Sequence, residues 1–334
     1  MTKRIAILAG SISLVILAAA IITVVCLAAN SSPSFPKGYD VGVWEWRAPD
    51  QETKSQQQAD ALALRQEGVT NVYIDISSYN DHDEIADPAL RARQTAAFVQ
   101  SLRQEVSILR SYGIRASALA GNERWANPDY WYVPLKLLHF VDTYNQSAPA
   151  DARLAGLQFD IEFYSAADFV DNPAASVANY QSLVGQLIGQ YQTSYKATAG
   201  PSLGFIIPSW FDGSNAAIPK TPKPLAFWLA DQLRPLHGSA LAVMAYRTQT
   251  GGSDGTIAKM QPVLDYIQQA KSPVRVFIGQ ETTNVQPAKI TFYASNKKAV
   301  KQAVTQLQST FSANKNLAGF IFNDEDGFLR LKDQ

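Results

Sequence analysis

Asp160 and Glu162 lie two residues apart in the segment 156–163, in which apolar and polar residues alternate. In a β-strand, this period of two sends the two sets to opposite faces. The two acids therefore share one face with Gln158, and the apolar face can pack beneath helices. Like charges this close raise the pKa of one partner, which favours a protonated Glu162. A carboxylic acid that protonates a leaving oxygen is what cleavage of a glycosidic bond requires.

Short apolar segments recur through residues 39–334, and each is followed by a stretch that can form a helix. The predicted strands are 41–46, 71–76, 114–120, 156–163, 203–209, 241–246, 274–279 and 318–322. The predicted helices are 51–66, 88–112, 134–144, 175–191, 224–233, 257–270 and 297–312. This repeat predicts an α/β protein with a (β/α)8 TIM barrel. A doubly wound open sheet is the alternative, but it requires a glycine-rich phosphate turn that the sequence lacks.

Active sites of such barrels form where strands end and loops begin. Polar and aromatic residues gather at these predicted strand ends, and together they suit a sugar, since carboxylates bind hydroxyl groups and flat rings pack on CH faces. We expect Glu162 to act as the general acid together with Asp160, Tyr246 and Glu281. The residues expected to contact a poly- or oligosaccharide are Trp44, Glu45, Asp75, Asn122, Trp125, Gln158, Arg247 and Asp324. Two alternatives remain open, because strand-end aromatic residues can simply cap the core and the paired acids can form ion pairs with arginine.

The strand that carries the two acids resembles a known signature. Its sequence from Gly156 to Glu162 resembles Asp-Gly-x-Asp-x-Asp-x-Glu, the signature of family 18 glycoside hydrolases, the chitinase family. Gly156, Asp160 and Glu162 match the signature, whereas Ala155 and Gln158 replace its first two aspartates. The resemblance implies that Glu162 is the proton donor and that Asp160 holds the acetamido group of the substrate. In that family the acetamide itself is the nucleophile.

Other segments extend the likeness. Met244-Ala245-Tyr246 is similar to the Met-x-Tyr of the family's sixth strand, where Tyr246 would bind the acetamide carbonyl, although Arg247 replaces the usual Asp. A second resemblance, to a bacterial TIM-barrel group classed with the glycosidases, covers most of the barrel and includes Arg247. It is carried by 118–121 with Trp125, by 160–162, by 244–247, by 279–283 and by 292–293.

Glu281 introduces a second mechanism. It follows the seventh predicted strand, and Glu162 lies at the end of the fourth, an arrangement that resembles the nucleophile and acid of retaining barrel glycosidases. Those enzymes usually carry Asn immediately before the acid, where Ile161 stands here. Retaining, inverting and substrate-assisted cleavage therefore all stay open.

A non-catalytic glycan-binding protein on a degenerate glycosidase barrel is the alternative function. Gln158 motivates it, because the aspartate that it replaces normally assists Asp160. No metal or organic cofactor is implied: the acidic loop 81–84 suits a solvated surface, and neither a nucleophile-elbow motif nor a phosphate loop is found. A carbohydrate esterase would need a His-rich metal motif, which the sequence lacks.

Charge and the N-terminal segment bear on partners and location. Equal numbers of basic and acidic side chains, 29 each, give no reason to expect nucleic acid as a partner, and we expect a monomer. Residues 5–29 contain no charge and are long enough to span a bilayer, and Lys3 and Arg4 precede them. We therefore expect an anchor or signal over 1–29, a tether over 30–38 and the barrel over 39–334. The protein would be held in the cell membrane by a single pass with the barrel outside the cytoplasm, or secreted if the signal is cleaved.

Overall fold

The computed structural model describes residues 35–195 and 200–333. Its parallel strands form a closed eight-stranded barrel in chain order, in which β1 pairs with both β2 and β8. The strands are β1 Asp40–Glu45, β2 Asn71–Asp75, β3 Arg115–Gly121, β4 Gly156–Asp160, β5 Ser202–Pro208, β6 Ala240–Met244, β7 Arg275–Glu281 and β8 Leu317–Asn323. The predicted TIM barrel is confirmed.

Helices connect the strands and cover the barrel. They are α1 Lys54–Gln66, α2 Pro88–Ser111, α3 Tyr132–Ser147, α4 Pro173–Tyr195, α5 Leu225–Leu233, α6 Thr256–Gln269, α7 Lys297–Thr310 and α8 Glu325–Arg330. Side chains cap several of them: Thr53 and Gln56 form a capping box at the start of α1, and Asn296 caps α7. The sequence predicted α1 to α7, but not the short α8.

The alternation along β4 divides its side chains between two cores. Leu157 and Phe159 are buried in the large layer between barrel and helices. Gln158 points the other way and accepts a hydrogen bond of 2.9 Å from the indole of Trp44, a residue of the inner core. Period-two alternation thus gives β4 an apolar outer face and a polar inner face.

Trp44 occupies the barrel interior because a neighbouring position lacks a side chain. It is only 1% exposed, and a Cβ atom at Gly279 would lie 3.1 Å from its Cη2 atom. Glycine on β7 therefore makes room for a large ring beneath the open end of the barrel.

The N-terminal segment is described only from Phe35 onwards. The predicted anchor over 1–29 and most of the tether therefore lie outside the described residues. Phe35, within the predicted tether, is buried, and its ring centroid lies 5.6 Å from that of Phe322 of β8 and 6.2 Å from that of Phe328 of α8. Within the described residues, none of the helices combines the length and the apolar character needed to cross a membrane.

Candidate active site

An open cleft of about 520 Å³ lies at the carboxyl end of the barrel. Several of its lining residues are the last residues of their strands: Gly121, Asp160, Met244, Glu281 and Asn323. The other lining residues are Trp44, Trp46, Asn122, Glu123, Glu162, Ser165 and Tyr246. The four predicted catalytic residues, contributed by β4, β6 and β7 and the turns after them, thus line one cavity of the size usual for ligand sites.

Glu162 is positioned by a turn rather than by a strand. The predicted strand extends to Phe163, but β4 ends at Asp160, and Glu162 adopts a non-extended conformation (φ −83°, ψ 51°). The hydroxyl group of Tyr164 donates a hydrogen bond of 2.5 Å to Oε1 of Glu162. The Tyr164 ring packs edge-to-face against Trp210, with ring centroids 4.6 Å apart. The carboxyl group is therefore held from one side by a tyrosine that is itself packed in place.

Asp160 has a buried carboxyl oxygen in the cleft. Its Oδ1 atom is buried and has no hydrogen-bond partner among the described residues. Burial, with a further contribution from the neighbouring Glu162 carboxylate, raises the pKa of Asp160 well above its usual range. Burial therefore favours the protonated form of Asp160, the partner of Glu162 in the predicted pair.

Glu281 is held by three hydrogen-bond donors. The backbone N–H and the hydroxyl group of Thr283 donate to Oε1, at 2.6 and 2.7 Å. The side-chain amide of Asn323 donates to Oε2 at 2.7 Å, and its oxygen accepts a hydrogen bond of 2.9 Å from the Trp46 indole. Glu281 is only 3% exposed, so both of its oxygen atoms have fixed positions at the cleft floor. Oε1 accepts two of these hydrogen bonds and Oε2 accepts one, so Oε2 is the oxygen with fewer hydrogen bonds.

Tyr246 stands among the three acids. Burial raises the pKa of its hydroxyl group well above the usual range, and the charges of Glu281, Asp160 and Glu162 add to the effect, in that order. Tyr246 therefore keeps its proton through the physiological range and can donate a hydrogen bond to a bound ligand.

Of the predicted contact residues, two line the cleft and the others lie outside it. Trp44 and Asn122 line the cleft, Trp44 from the barrel floor. Gln158 is buried below Trp44 and lines a separate cavity at the opposite end of the barrel. Trp125 is buried against Phe159 in the outer layer. Asp75 accepts hydrogen bonds from the backbone and side chain of Ser77 and does not line the cleft.

Three further predicted contact residues also lie away from the cleft and have structural partners. Glu45 is buried on the outer face of β1, where burial, followed by the charge of the adjacent Glu105, raises its pKa. Arg247 turns back to donate to the carbonyl oxygen of Tyr246 and forms an ion pair of 2.8 Å with Asp254. Asp324 caps α8 by accepting a hydrogen bond from the backbone of Gly327.

Several residues of the site were missed by the sequence reasoning. Trp46, Glu123, Ser165, Met244 and Asn323 line the cleft, and Tyr164 and Thr283 hold the acids. Their position near strand ends is visible in the sequence, but their hydrogen bonds depend on the turns that follow those ends. In the part of the chain that the structure describes, there is no group of three or more His, Cys, Asp or Glu side chains able to hold a metal ion.

Comparisons with known proteins support the fold. No protein-family model matches the sequence, and no curated protein is significantly similar to it. Among solved structures, the chain is similar to a β-glucosidase from Thermotoga maritima in complex with glucoimidazole. The sequence identity is 10%, the TM-score is 0.50, and the match covers 87% of this chain and 90% of the β-glucosidase. At this identity, the likeness shows a shared barrel fold.

Two further solved structures are weaker matches. A family 18 chitinase from Cycas revoluta in complex with allosamidin has 12% identity, a TM-score of 0.48 and coverage of 87% and 96%. An exo-β-1,4-mannosidase from an Opitutaceae bacterium has 11% identity and a TM-score of 0.43 over 85% of this chain. The match spans only 62% of the mannosidase.

Proposed function

We propose that the protein is a glycoside hydrolase in which Glu162 is the general acid. The observation that carries the proposal is the single cleft that unites Asp160, Glu162, Tyr246 and Glu281 at the carboxyl end of the barrel. Glycoside cleavage needs a proton donor beside the leaving oxygen and a group that stabilises or traps the positive sugar on its other side. The arrangement provides candidates for both roles.

In the first route, Glu281 traps the sugar. Glu162 donates its proton to the glycosidic oxygen, the bond from that oxygen to the anomeric carbon breaks, and Oε2 of Glu281 forms an ester with the anomeric carbon. Water then attacks the same carbon after losing a proton to the Glu162 carboxylate, and the ester bond breaks. The fixed position of Glu281 between Thr283 and Asn323 supports this route, since a nucleophile must be held in line with the reacting carbon.

In the second route, an acetamido group of the substrate replaces Glu281 as the nucleophile. Its oxygen attacks the anomeric carbon while Glu162 protonates the leaving oxygen and the glycosidic bond breaks. Water then loses a proton to the Glu162 carboxylate and attacks the same carbon, and the bond to the acetamide oxygen breaks to restore the acetamido group. Asp160 would hold the acetamido N–H, and Tyr246 would donate a hydrogen bond to its oxygen. The buried, unpartnered Oδ1 of Asp160 favours this route, because a bound amide would supply the missing partner.

Hydrolysis of a panel of glycans tests the function. The panel contains peptidoglycan, chitin and α- and β-linked glucans and mannans, and wild type is compared with Glu162→Gln. We expect wild type to cleave at least one of them and Glu162→Gln to lose at least about a hundredfold in kcat, as for loss of a general acid. Glu84→Gln, which changes an exposed acid outside the cleft, is the matched control and should keep wild-type activity.

A glycan-binding protein on the same barrel is the second candidate. The position of Gln158 favours it, because its side chain bonds to Trp44 below the cleft and offers Asp160 no carboxylate. Glycan binding by both wild type and Glu162→Gln, with hydrolysis by neither, would establish this candidate and exclude the enzyme.

We further propose that residues 1–29 anchor the protein in the cell membrane with the barrel outside the cytoplasm. The uncharged run over 5–29 behind Lys3 and Arg4 supports this location. Fractionation with alkaline extraction, followed by mass spectrometry of the N-terminus, tests it. Retention of residues 1–29 in the membrane pellet is expected, and a soluble cytoplasmic protein with an intact N-terminus would contradict the proposal.

A further inference from the structure

A second cavity lies at the same end of the barrel as the cleft. It has a volume of about 510 Å³, and all its lining residues come from the segment 210–225 that joins β5 to α5. Its volume falls in the range of pockets that bind small ligands. We call this cavity the side pocket.

The lining of the side pocket has the mixed chemistry of a sugar-binding surface. The half-buried ring of Trp210 and the aliphatic side chain of Ile218 provide apolar surface. Asp212 and Asn215 each use one side-chain oxygen to accept a backbone hydrogen bond within the loop, at 2.8 and 2.9 Å. No hydrogen bond within the described residues engages Oδ2 of Asp212 or Nδ2 of Asn215, so these atoms can meet ligand hydroxyl groups.

One residue connects the side pocket with the proposed acid. The ring of Trp210 lies 4.6 Å from that of Tyr164, at an interplanar angle of 74°. Tyr164 donates its hydroxyl hydrogen to Glu162, and the next residue, Ser165, lines the cleft. Tyr164 therefore contacts one lining residue of each cavity, Trp210 of the side pocket and Glu162 of the cleft.

We propose that the side pocket is a second saccharide subsite, which holds further sugar units of the glycan chain that is bound at Glu162. This inference rests on the proposed function and narrows its substrate class to oligo- or polysaccharides rather than single glycosides. Two observations support the same chain as occupant: both cavities lie at the carboxyl end of the barrel, and Tyr164 contacts a lining residue of each. A chain that fills both cavities gains contacts that a short substrate cannot make.

The test measures how activity depends on substrate length. The full-length protein is assayed with N-acetylglucosamine, cello- and manno-oligosaccharides, from disaccharide to hexasaccharide. We expect kcat/KM of wild type to rise with length, and Trp210→Ala to lower the ratio of long-substrate to short-substrate kcat/KM by roughly three- to tenfold, the size usual for one aromatic contact. Trp210→Phe should restore part of this ratio.

Two further variants separate binding from indirect effects. Asn215→Ala leaves the Trp210–Tyr164 contact in place and should also lower the ratio. Tyr132→Ala, which removes an exposed aromatic ring outside both cavities, should not change it. Titration calorimetry repeats the comparison without hydrolysis. It measures the affinity of Glu162→Gln for short and long oligosaccharides, with and without Trp210→Ala.

The outcomes distinguish this inference from the proposed function. If hydrolysis depends on Glu162 but neither Trp210→Ala nor Asn215→Ala changes the ratio of long-substrate to short-substrate kcat/KM, the side pocket is not a saccharide subsite. The proposed function then stands. If binding increases with substrate length and Trp210→Ala weakens it, but wild type hydrolyses nothing, the side pocket is a saccharide subsite. The proposal that the protein is a glycoside hydrolase is then refuted. Binding of no oligosaccharide would overturn both.

Discussion

Tyr164 donates a hydrogen bond of 2.5 Å to Glu162, the residue two positions before it in the chain. Glu162 lies beyond the end of β4, so the ladder of the barrel does not fix its backbone. Its position depends on the turn and on this hydrogen bond. Tyr164 is held in turn by edge-to-face packing against Phe163 and Trp210. Tyr164 is therefore a positioning residue for the proposed acid.

Tyr164→Phe tests this role. The variant keeps the ring packing and removes only the hydroxyl group, so we expect kcat to fall about tenfold or more while KM changes less than about threefold. Tyr144→Phe is the matched control. It removes the hydroxyl group of another core tyrosine, which donates to the carbonyl oxygen of Ala152, and should lower the free energy of unfolding by about 1 kcal/mol with kcat retained. An unchanged kcat in Tyr164→Phe would exclude the positioning role.

Glu281→Gln distinguishes the two routes of cleavage. If Glu281 is the nucleophile, the variant cannot form the ester, and kcat on glucans and mannans should fall at least about a thousandfold. We expect this loss, because Thr283 and Asn323 hold the carboxylate at the cleft floor. Steady-state kinetics on substrates with and without an acetamido group measure it. Cleavage of N-acetylglucosamine oligomers that survives the substitution would instead assign the nucleophile to the substrate.

The fold could be predicted from the sequence because hydrophobic periodicity repeats along the chain. Each predicted strand overlaps an observed one, because a barrel strand is covered on both faces and therefore forms a short apolar segment that the local sequence shows. Strand parity also indicates which way Glu45 faces. Glu45 adjoins Trp44, and because Trp44 faces the barrel interior, Glu45 must face outwards.

The site could be predicted only in part. Asp160, Glu162, Tyr246 and Glu281 belong to strand ends, and a closed barrel brings all strand ends to one rim. Loop side chains follow no such rule. Arg247, one residue beyond Tyr246, turns outwards because Asp254 in the same loop attracts it. Such contacts depend on loop conformations that no period in the sequence encodes.

Gly279→Ala tests the space around Trp44. The added Cβ atom would lie 3.1 Å from Cη2 of Trp44 and 3.1 Å from the carbonyl oxygen of Val243, and neither can move easily in the barrel interior. We expect the free energy of unfolding to fall by about 1–3 kcal/mol, as for other overpacked cores. Denaturant unfolding measures this loss.

Gly185→Ala is the control for that substitution. Gly185 lies within α4, and its added Cβ atom would have no neighbour within 4 Å. Alanine should therefore raise the free energy of unfolding by about 0.5–1 kcal/mol, because it favours the helix more than glycine does. Equal changes in both glycine variants would refute the proposed crowding at Trp44.

A pair of buried acids beside the barrel should make stability depend on pH. Glu45 of β1 and Glu105 of α2 are each less than 5% exposed, and their side chains are hydrogen-bonded to each other. Burial raises the pKa of Glu105 to about 8 and also raises that of Glu45. The charged side chains around the pair are Arg47, Glu52 and Glu325.

The direction of the pH effect follows from the raised pKa values. Unfolded glutamate has a pKa near 4.3, so between that value and about 8 the folded protein binds more protons than the unfolded one. The stability that this pair contributes is fully present below pH 4.3 and is lost as pH rises towards 8, at up to about 1.4 kcal/mol per pH unit for each proton.

Glu105→Gln should flatten this dependence. The glutamine amide can still donate a hydrogen bond to Glu45, but one titrating group is gone, so the loss of stability between pH 5 and pH 8 should become smaller. Urea unfolding at intervals of pH measures the slope. Glu67→Gln is the control, because the carboxylate of Glu67 forms ion pairs with Lys297 and Lys301 rather than a pair with another acid. This variant should not reduce the slope of stability against pH. The same slope in Glu105→Gln as in wild type would show that the buried pair does not carry the pH dependence.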